Sequence, residues 1–342
     1  VSASRFVAEA PPASEPLVSV IIPVYQGERL ILGAVRSALR QTHRELEVWV
    51  VDDGSSDETQ ARLATIDDSR LHVLRQANAG TAAARNAALA RASGRYIAFL
   101  DSDDRWFPEK IATEIEVLRR APEPIAIGYS SHYAVDDRGR FLHLGPMYRH
   151  SGNAFDLLLD GDDFLMPSLC LFDRRIFEAV GNFNTAHYHE DYDFILRASR
   201  RFPIYPTGRR LAVYRQSMAG KYRAILKDYE RARDAELSLV HELGPQLTPT
   251  QTQRLRESVI RSLYLSFLMY GFEEHARRLR EEVGLPKLRK NPKGRLGAVF
   301  AKTGLNLIAP ARRTIQTYNR LTRQRSWERR IARAGLDLRY DG

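Results

Sequence analysis

Leu46-Glu-Val-Trp-Val-Val51, followed at once by Asp52-Asp-Gly-Ser-Ser-Asp57, joins an apolar run to an acidic turn with a single glycine. A short valine-rich run bounded by a turn reads as a buried strand, and the polar cluster as the loop that leads into a helix. Upstream, Val18-Ser-Val-Ile-Ile-Pro-Val-Tyr25 has the same character and precedes helical spacing at Leu30, Ile31, Ala34, Val35, Ala38 and Leu39. Downstream, a helical stretch from Glu58 leads to Leu71-His-Val-Leu74, to the alanine-rich stretch 81–92 and to Tyr96-Ile-Ala-Phe-Leu100. This alternation predicts an α/β fold whose mostly parallel sheet is flanked by helices. Ligands on such sheets bind beyond the carboxyl ends of the strands, where the acidic turn lies.

The rest of the 342 residues limits the alternatives. A 44% hydrophobic and 27% charged chain is an ordinary globular one, long enough for a sizeable core. One cysteine, Cys170, permits neither an intrachain disulfide nor a cysteine metal cluster, and in its apolar run it reads as core filler. The apolar runs are all shorter than the ~18 residues of a spanning helix. The net charge of +10 is unevenly placed: residues 286–342 hold 15 Lys and Arg against three Asp and Glu, a charge of +12 that leaves the rest at −2. The expected organisation is a flexible lead-in over 1–15, without a signal-peptide pattern. An α/β domain over 16–220 follows, which divides into 16–105 and 106–220. A helical region over 221–285 comes next, with Thr248-Pro249 as N-cap and first helical residue and Gly284 with Pro286 as the stop. A basic tail closes the chain over 286–342.

Three polar constellations carry candidate chemistry. In Asp52-Asp-Gly-Ser-Ser-Asp57, a carboxylate at a strand end can accept hydrogen bonds from a base or a ribose, though the same residues also make an ordinary strand-to-helix turn. Asp101-Ser-Asp-Asp104 follows the fourth strand. Continued strand alternation would place Asp101 and Asp103 on one side, a pair of hard oxygen donors suited to Mg2+ or Mn2+; the bland reading is a solvated acidic loop. In Glu190-Asp-Tyr-Asp193, running into Phe194-Ile-Leu196, the acids sit at a helix start, where they either cap the helix or serve as a general base.

Together these motifs resemble the family 2 glycosyltransferases. The likeness covers about 16–215 and adds Asn78-Ala-Gly-Thr-Ala-Ala-Ala-Arg-Asn86, Trp106 with Pro108, and Val180-Gly-Asn-Phe183, all in the family's order. It implies the GT-A fold, a Rossmann-like sheet flanked by helices, with 16–220 as the catalytic domain, 16–105 its nucleotide-binding half and 106–220 its acceptor half, and an inverting, metal-dependent transfer from a nucleotide-sugar, most simply a UDP-sugar. By similarity Pro23, Val24 and Tyr25 frame the base and Asp53 bonds to it. Asn78, Gly80 and Arg85 line the donor pocket, with Arg85 near ribose or phosphate. Asp101 and Ser102 lie by the donor, Asp103 with Asp101 binds Mn2+ or Mg2+, and Asp191, with Glu190 as second choice, is the base. The implied acceptor is a hydroxyl of a glycan, lipid-linked saccharide or surface polymer.

One departure concerns the metal shell. Many relatives carry a histidine after the Tyr-Arg that corresponds to Tyr214-Arg215, whereas this sequence has Gln216-Ser-Met218. His187 and His189 are the substitutes nearest in sequence to Asp191. A nucleotidyltransferase would need a Gly-rich phosphate loop after the first strand, and Pro23-Val-Tyr-Gln-Gly27 lacks that pattern. An inactive sugar-binding scaffold would have little use for Asp53, Asp101, Asp103 and Asp191 together. The tail mixes apolar Val299, Phe300, Leu305, Ile308 and Ile315 with Lys302, Arg312, Arg313 and Arg320, and reads as a solvated basic end or as an amphipathic stretch on an anionic membrane surface. No nucleic-acid motif accompanies the charge. The expected place is the cytoplasm, peripheral at the inner face of the membrane.

Overall fold

The protein is described from a computed structural model, which covers residues 15–161, 165–186, 189–217, 221–284 and 308–338. The elements run β1 (Val18–Val24), α1 (Ile31–Leu39), β2 (Leu46–Asp52), α2 (Thr59–Leu63), β3 (Leu71–Arg75), α3 (Thr81–Leu89), β4 (Tyr96–Phe99), β5 (Arg105–Trp106) and α4 (Lys110–Arg120). Then come β6 (Ile127–Val135), β7 (Phe141–Leu144), α5 (Phe155–Leu159), β8 (Cys170–Asp173), α6 (Arg175–Val180), α7 (Glu190–Arg201) and β9 (Ile204–Arg215). Five helices follow: α8 (Lys221–Leu226), α9 (Tyr229–Leu243), α10 (Pro249–Tyr270), α11 (Glu273–Val283) and α12 (Ile308–Arg333).

All nine strands join one sheet in the order β3-β2-β1-β4-β8-β6-β9-β5, with β7 paired to β6. The expected parallel half is present as β3-β2-β1-β4, and the chain reverses direction across the sheet between β1 and β4. Beyond β4 the sheet is mixed: β8 runs antiparallel to β4 and to β6, while β9 is parallel to β6. The short motifs after residue 105 carry no periodicity that would reveal this half.

Period-two alternation splits the strands between two cores. Ile21, Val51, Phe99 and Phe172 face α3, α5, α6 and α7, and Val20, Ile22, Val48, Val50 and Leu100 face α1, α2 and α4. Leu239, Leu243, Leu255 and Val259 of α9 and α10 extend the first core, so the helical region shares apolar packing with the sheet. Thr248 caps α10 as expected: its hydroxyl accepts from Gln251 N, while the Gln251 side chain accepts from Thr248 N. The helix stops earlier than the spacing suggested, at Gly271, whose left-handed backbone (φ 82°) turns the chain into α11.

The basic tail is not wholly a solvated end. Residues 286–307 and 339–342 lie outside the described residues, but α12 and the turn after it bury Trp327, Ile331 and Leu338 against Phe107, Val135, Phe141, Leu211 and Val213. Trp327, spaced four residues from Ile331, presents one helix face to the sheet.

Phe194 anchors α7, whose first turn carries Glu190 and Asp191. It is fully buried, with its ring centroid 4.7 Å from both Phe177 and Phe183 and 5.5 Å from Phe172. Phe194→Ala is expected to lower stability by about 3–5 kcal/mol, read as a fall in the urea midpoint at unchanged m-value.

Candidate active site

The carboxyl ends of β1 and β2 are tied together by side chains. Gln26, at φ 53°, uses its side-chain oxygen to accept from the amides of Ser56 and Asp57, while its own amide donates to Ser55 Oγ (2.9 Å). Gly27 N donates to Thr59 Oγ1 (2.9 Å) and Glu28 N to Asp57 Oδ2 (3.1 Å). Asp52 stays inside this turn, accepting from Ser55 N (2.9 Å). Tyr25, just past the end of β1, is 54% exposed, whereas Pro23 and Val24 before it are buried in the strand. A half-exposed aromatic at a strand end offers a face on which a base can stack.

Asp53 is 4% exposed and fixes the next loop. Its Oδ1 accepts from Gln76 Nε2 (2.8 Å) and Ala79 N (2.9 Å), and its Oδ2 from Gly80 N (2.8 Å). Three of a carboxylate's roughly four acceptor sites are therefore used within the protein. Gly54 permits the approach: its φ is +81° and a Cβ there would lie 2.8 Å from Asn78 N. Asn78 is exposed and Gly80 half-buried on this loop.

The acidic loop differs from the expected geometry. β4 ends at Phe99, and 101–104 is a turn closed by Asp104 N donating to Asp101 O (3.0 Å), so the turn, not strand alternation, brings the carboxylates together. Asp101 faces outward and Ser102 is half-buried beside it. Burial, and then the charge of Asp101, push the Asp103 carboxyl up to about 6. Asp104 points inward at 2% exposure, accepts from Arg215 N (2.8 Å) and is shifted well upward by burial and by Asp103. Asp103, pushed up by burial first and by a neighbouring carboxylate second, would be stabilised in its charged form by a cation, and carboxylate oxygens are the hard donors that Mg2+ or Mn2+ takes. Among the described residues no third His, Cys, Asp or Glu joins such a pair in ligating geometry. A divalent ion here would therefore rest on two carboxylates and on oxygens of its ligand.

Arg85 connects this loop to the third constellation. Buried at 4% exposure, it donates through Nη2 to Asp101 (3.0 Å) and through Nη1 to Glu190 (3.4 Å), with its guanidinium against the rings of Phe99 and Phe183. Two of its donors are thus engaged by carboxylates, and not only available to a ribose or phosphate as the resemblance implied. Asp191, the neighbour of Glu190, is partly exposed and accepts only from Tyr192 N (2.8 Å) among the bonds described. Of the expected acids, Asp101 and Glu190 are thereby linked through one buried cation that no sequence signal pairs with them, with Asp103 and Asp191 on the same two segments.

His187 lies outside the described residues. His189 turns toward α9, with Nε2 3.2 Å from Glu236 Oε2, so its ring is engaged away from the acidic loop. The place where relatives carry a histidine follows Arg215, which donates from Nε to Asp103 O (3.2 Å). Gln26, Arg105 and Arg215 are site-building residues that motif reading passed over. Cys170 is fully buried and burial pushes its thiol up, which removes it as a nucleophile.

The loops at the carboxyl edge of the parallel strands and the acidic turn, joined by Arg85 to the start of α7, form one candidate site at the place where α/β sheets bind ligands. Residues 19–181 match the family model described as Glycosyl transferase family 2. The chain is 46% identical over 130 residues to the Escherichia coli UDP-Glc:alpha-D-GlcNAc-diphosphoundecaprenol beta-1,3-glucosyltransferase WfgD, covering 37% of this chain and 51% of that protein. Against a group of uncharacterized Rickettsia glycosyltransferases, 30–34% identical, it spans 24–61% of their length. In structure it resembles S. aureus TarS 1-349 in complex with UDP-GlcNAc (TM-score 0.56, 18% identity, 84% of this chain and 92% of that one). It likewise resembles the Pyrobaculum calidifontis mannosyltransferase PcManGT in complex with GDP-Man and Mn2+ (TM-score 0.54, 18% identity, 92% and 88%).

The His189–Glu236 contact makes a pH prediction. Burial alone would push the imidazole down, but the bond to Glu236, with the charges of Asp191 and Glu190, raises its pKa above the ordinary 6.5. A raised histidine contributes stability that is full below its unfolded pKa and lost as pH rises through the folded one. Glu236→Gln is therefore expected to destabilise the protein more at about pH 5.5 than at about pH 9, as read from denaturation midpoints at the two pH values.

Proposed function

We propose that the protein transfers a sugar from a UDP-sugar, with inversion, to a hydroxyl of a lipid-linked saccharide or surface polymer, and that it uses Mn2+ or Mg2+. The observation that carries this reading is the Arg85 bridge, which holds the acidic loop and the start of α7 in one cluster. The UDP-GlcNAc in the TarS complex and the UDP-Glc and diphosphoundecaprenol in the name of WfgD support the donor and the lipid-linked acceptor. The Mn2+ in the PcManGT complex supports the metal.

In this reading Tyr25 stacks on the base, while Asp53, Asn78 and Gly80 shape the loop around it. Asp103 and Asp101 hold the divalent ion, which as a Lewis acid would stabilise charge on the departing diphosphate. Arg85 orients Asp101 and Glu190 through its two hydrogen bonds. Asp191 is the base because Glu190 is tied to that cation, whereas Asp191 stands free enough to take the acceptor proton as the hydroxyl attacks. Attack opposite the leaving group inverts the anomeric centre without a covalent enzyme intermediate. Asp191→Asn is expected to lower kcat by about 10²–10⁴-fold, the share a positioned base contributes, with UDP binding retained by calorimetry. Asp103→Ala is expected to abolish the Mn2+-dependent part of UDP binding. Near-full activity of Asp191→Asn would remove the base assignment.

We also place the enzyme peripherally, at a membrane's cytoplasmic face. No helix among the described residues is long and apolar enough to cross a membrane. Arg325, Arg329 and Arg333 are exposed and lie at i, i+4 and i+8 on α12, opposite the face that buries Trp327 and Ile331. Each cation beside an anionic leaflet contributes about 1 kcal/mol. Replacing all three by Glu is expected to abolish flotation with phosphatidylglycerol vesicles and to leave turnover of a soluble acceptor analogue unchanged; equal flotation would detach location from this stripe.

A further inference from the structure

Two arginines behind the acidic loop are saturated by backbone carbonyls from distant parts of the chain. Arg215, 4% exposed, donates from Nε to Asp103 O (3.2 Å), from Nη1 to Asp136 O (3.0 Å) and Asp137 O (2.8 Å), and from Nη2 to Leu338 O (2.8 Å). Arg105, 1% exposed, donates from Nη1 to Asp104 O (2.8 Å), from Nη2 to Leu30 O (2.9 Å) and from Nε to Asp337 O (3.2 Å). A third arginine, Arg40, reaches Gly335 O (3.1 Å). The structure is shaped around these contacts. A Cβ at Gly33 would lie within 2.4 Å of the Arg105 guanidinium, and one at Gly139 would lie 2.8 Å from Leu338 O.

The geometry has a direction. A guanidinium is a rigid fork whose donors are fixed relative to one another, so fixing one side aims the other. Residues 335–338, which follow the end of α12, share each guanidinium with the acidic loop: Arg215 gives Nη2 to Leu338 O and Nε to Asp103 O, and Arg105 gives Nε to Asp337 O and Nη1 to Asp104 O. Trp327, Ile331 and Leu338, all buried, hold the 335–338 turn in place. We propose that residues 335–338 are a strap that positions the 101–104 loop for donor binding, with Arg215 and Arg105 as the positioning residues through which it acts. This deepens the reading given above and rests on it where donor binding is concerned. The strap touches neither donor nor acceptor in this account, and its effect passes through the backbone of the acidic loop.

The test uses the full chain with Leu338→Glu, with the milder Leu338→Ala, and with Arg215→Met. Leu268→Ala, in the apolar cluster of α8–α11, serves as a variant matched for loss of melting temperature. Two quantities are measured well below the melting temperature: hydrogen exchange of the 101–106 amides without metal or nucleotide, and the Kd for UDP with Mn2+. The strap predicts about tenfold faster exchange at 101–106 and about tenfold weaker UDP binding in Leu338→Glu and Arg215→Met, a smaller change of the same kind in Leu338→Ala, and changes within about twofold in Leu268→Ala. Exchange confined to α12 and 335–338, with the acidic loop as protected as in the parent chain, would overturn it. Equal change in Leu268→Ala would reduce the effect to general destabilisation and overturn it as well. Failure of the parent chain to bind UDP would count against the donor reading alone, since the exchange measurement would still decide the strap.

Discussion

Arg85 brings a full positive charge into a place with almost no water, between carboxylates 16 and 105 residues away along the chain. A lone buried guanidinium is costly to desolvate, and so is a cluster of acids facing one another; placed together, each offsets part of the other's cost. The bond to Asp101 and the contact with Glu190 also do geometric work, because they fix the end of β4 against the start of α7. The sheet, the Phe99 and Phe183 rings and the Phe194 anchor of α7 determine where that cation can sit.

The loops at the carboxyl edge are cross-linked in a chain of dependence. Gln26 fastens the first loop to the second, and Asp53 fastens the second to the 76–80 loop. Each link is a side chain bonded to backbone amides, so a shape is held without a continuous stretch of secondary structure. Such a surface is preorganised before any ligand arrives, which limits the ordering that binding would otherwise require.

The parallel half of the fold was readable from residues 17 to 105 because β1, β2 and β4 are mostly buried on both faces and therefore appear as apolar runs ending in turn residues, while the half-exposed edge strand β3 is short but still apolar at alternate positions. The acids could be picked out because they cluster directly after apolar strands, although Asp52 and Asp104 turn out to hold backbone amides inside the fold. What could not be read was pairing. Nothing in Leu211-Ala-Val-Tyr-Arg215 announces that its arginine will reach the carbonyls of residues 103, 136 and 338, since backbone acceptors are the same at every position. Gln26 is hidden likewise, a polar residue in a polar loop. The break at Gly271 was missed because the apolar spacing continues on both sides of it, and only the backbone angle separates α10 from α11. For the tail, composition suggested its exposed cations, while the few residues that pack, Trp327 and Ile331 among them, were outnumbered by charge.

The brevity of the turn between β4 and β5 has a consequence for how this scaffold can vary. Arg105 and Trp106 pair with Val213 and Ala212, and Tyr96, Ile97 and Ala98 with Asp173, Phe172 and Leu171, so both ends of the acidic turn are clamped in register. One inserted residue would turn Trp106 from the core to the opposite face, because side chains alternate along a strand. The sheet thus fixes the length of this turn. The 145–154 stretch, by contrast, is tied down by one bridge between Gly152 and Ile204 and by side-chain bonds such as Tyr129 Oη to His150 O, so its length is not set by strand register at both ends.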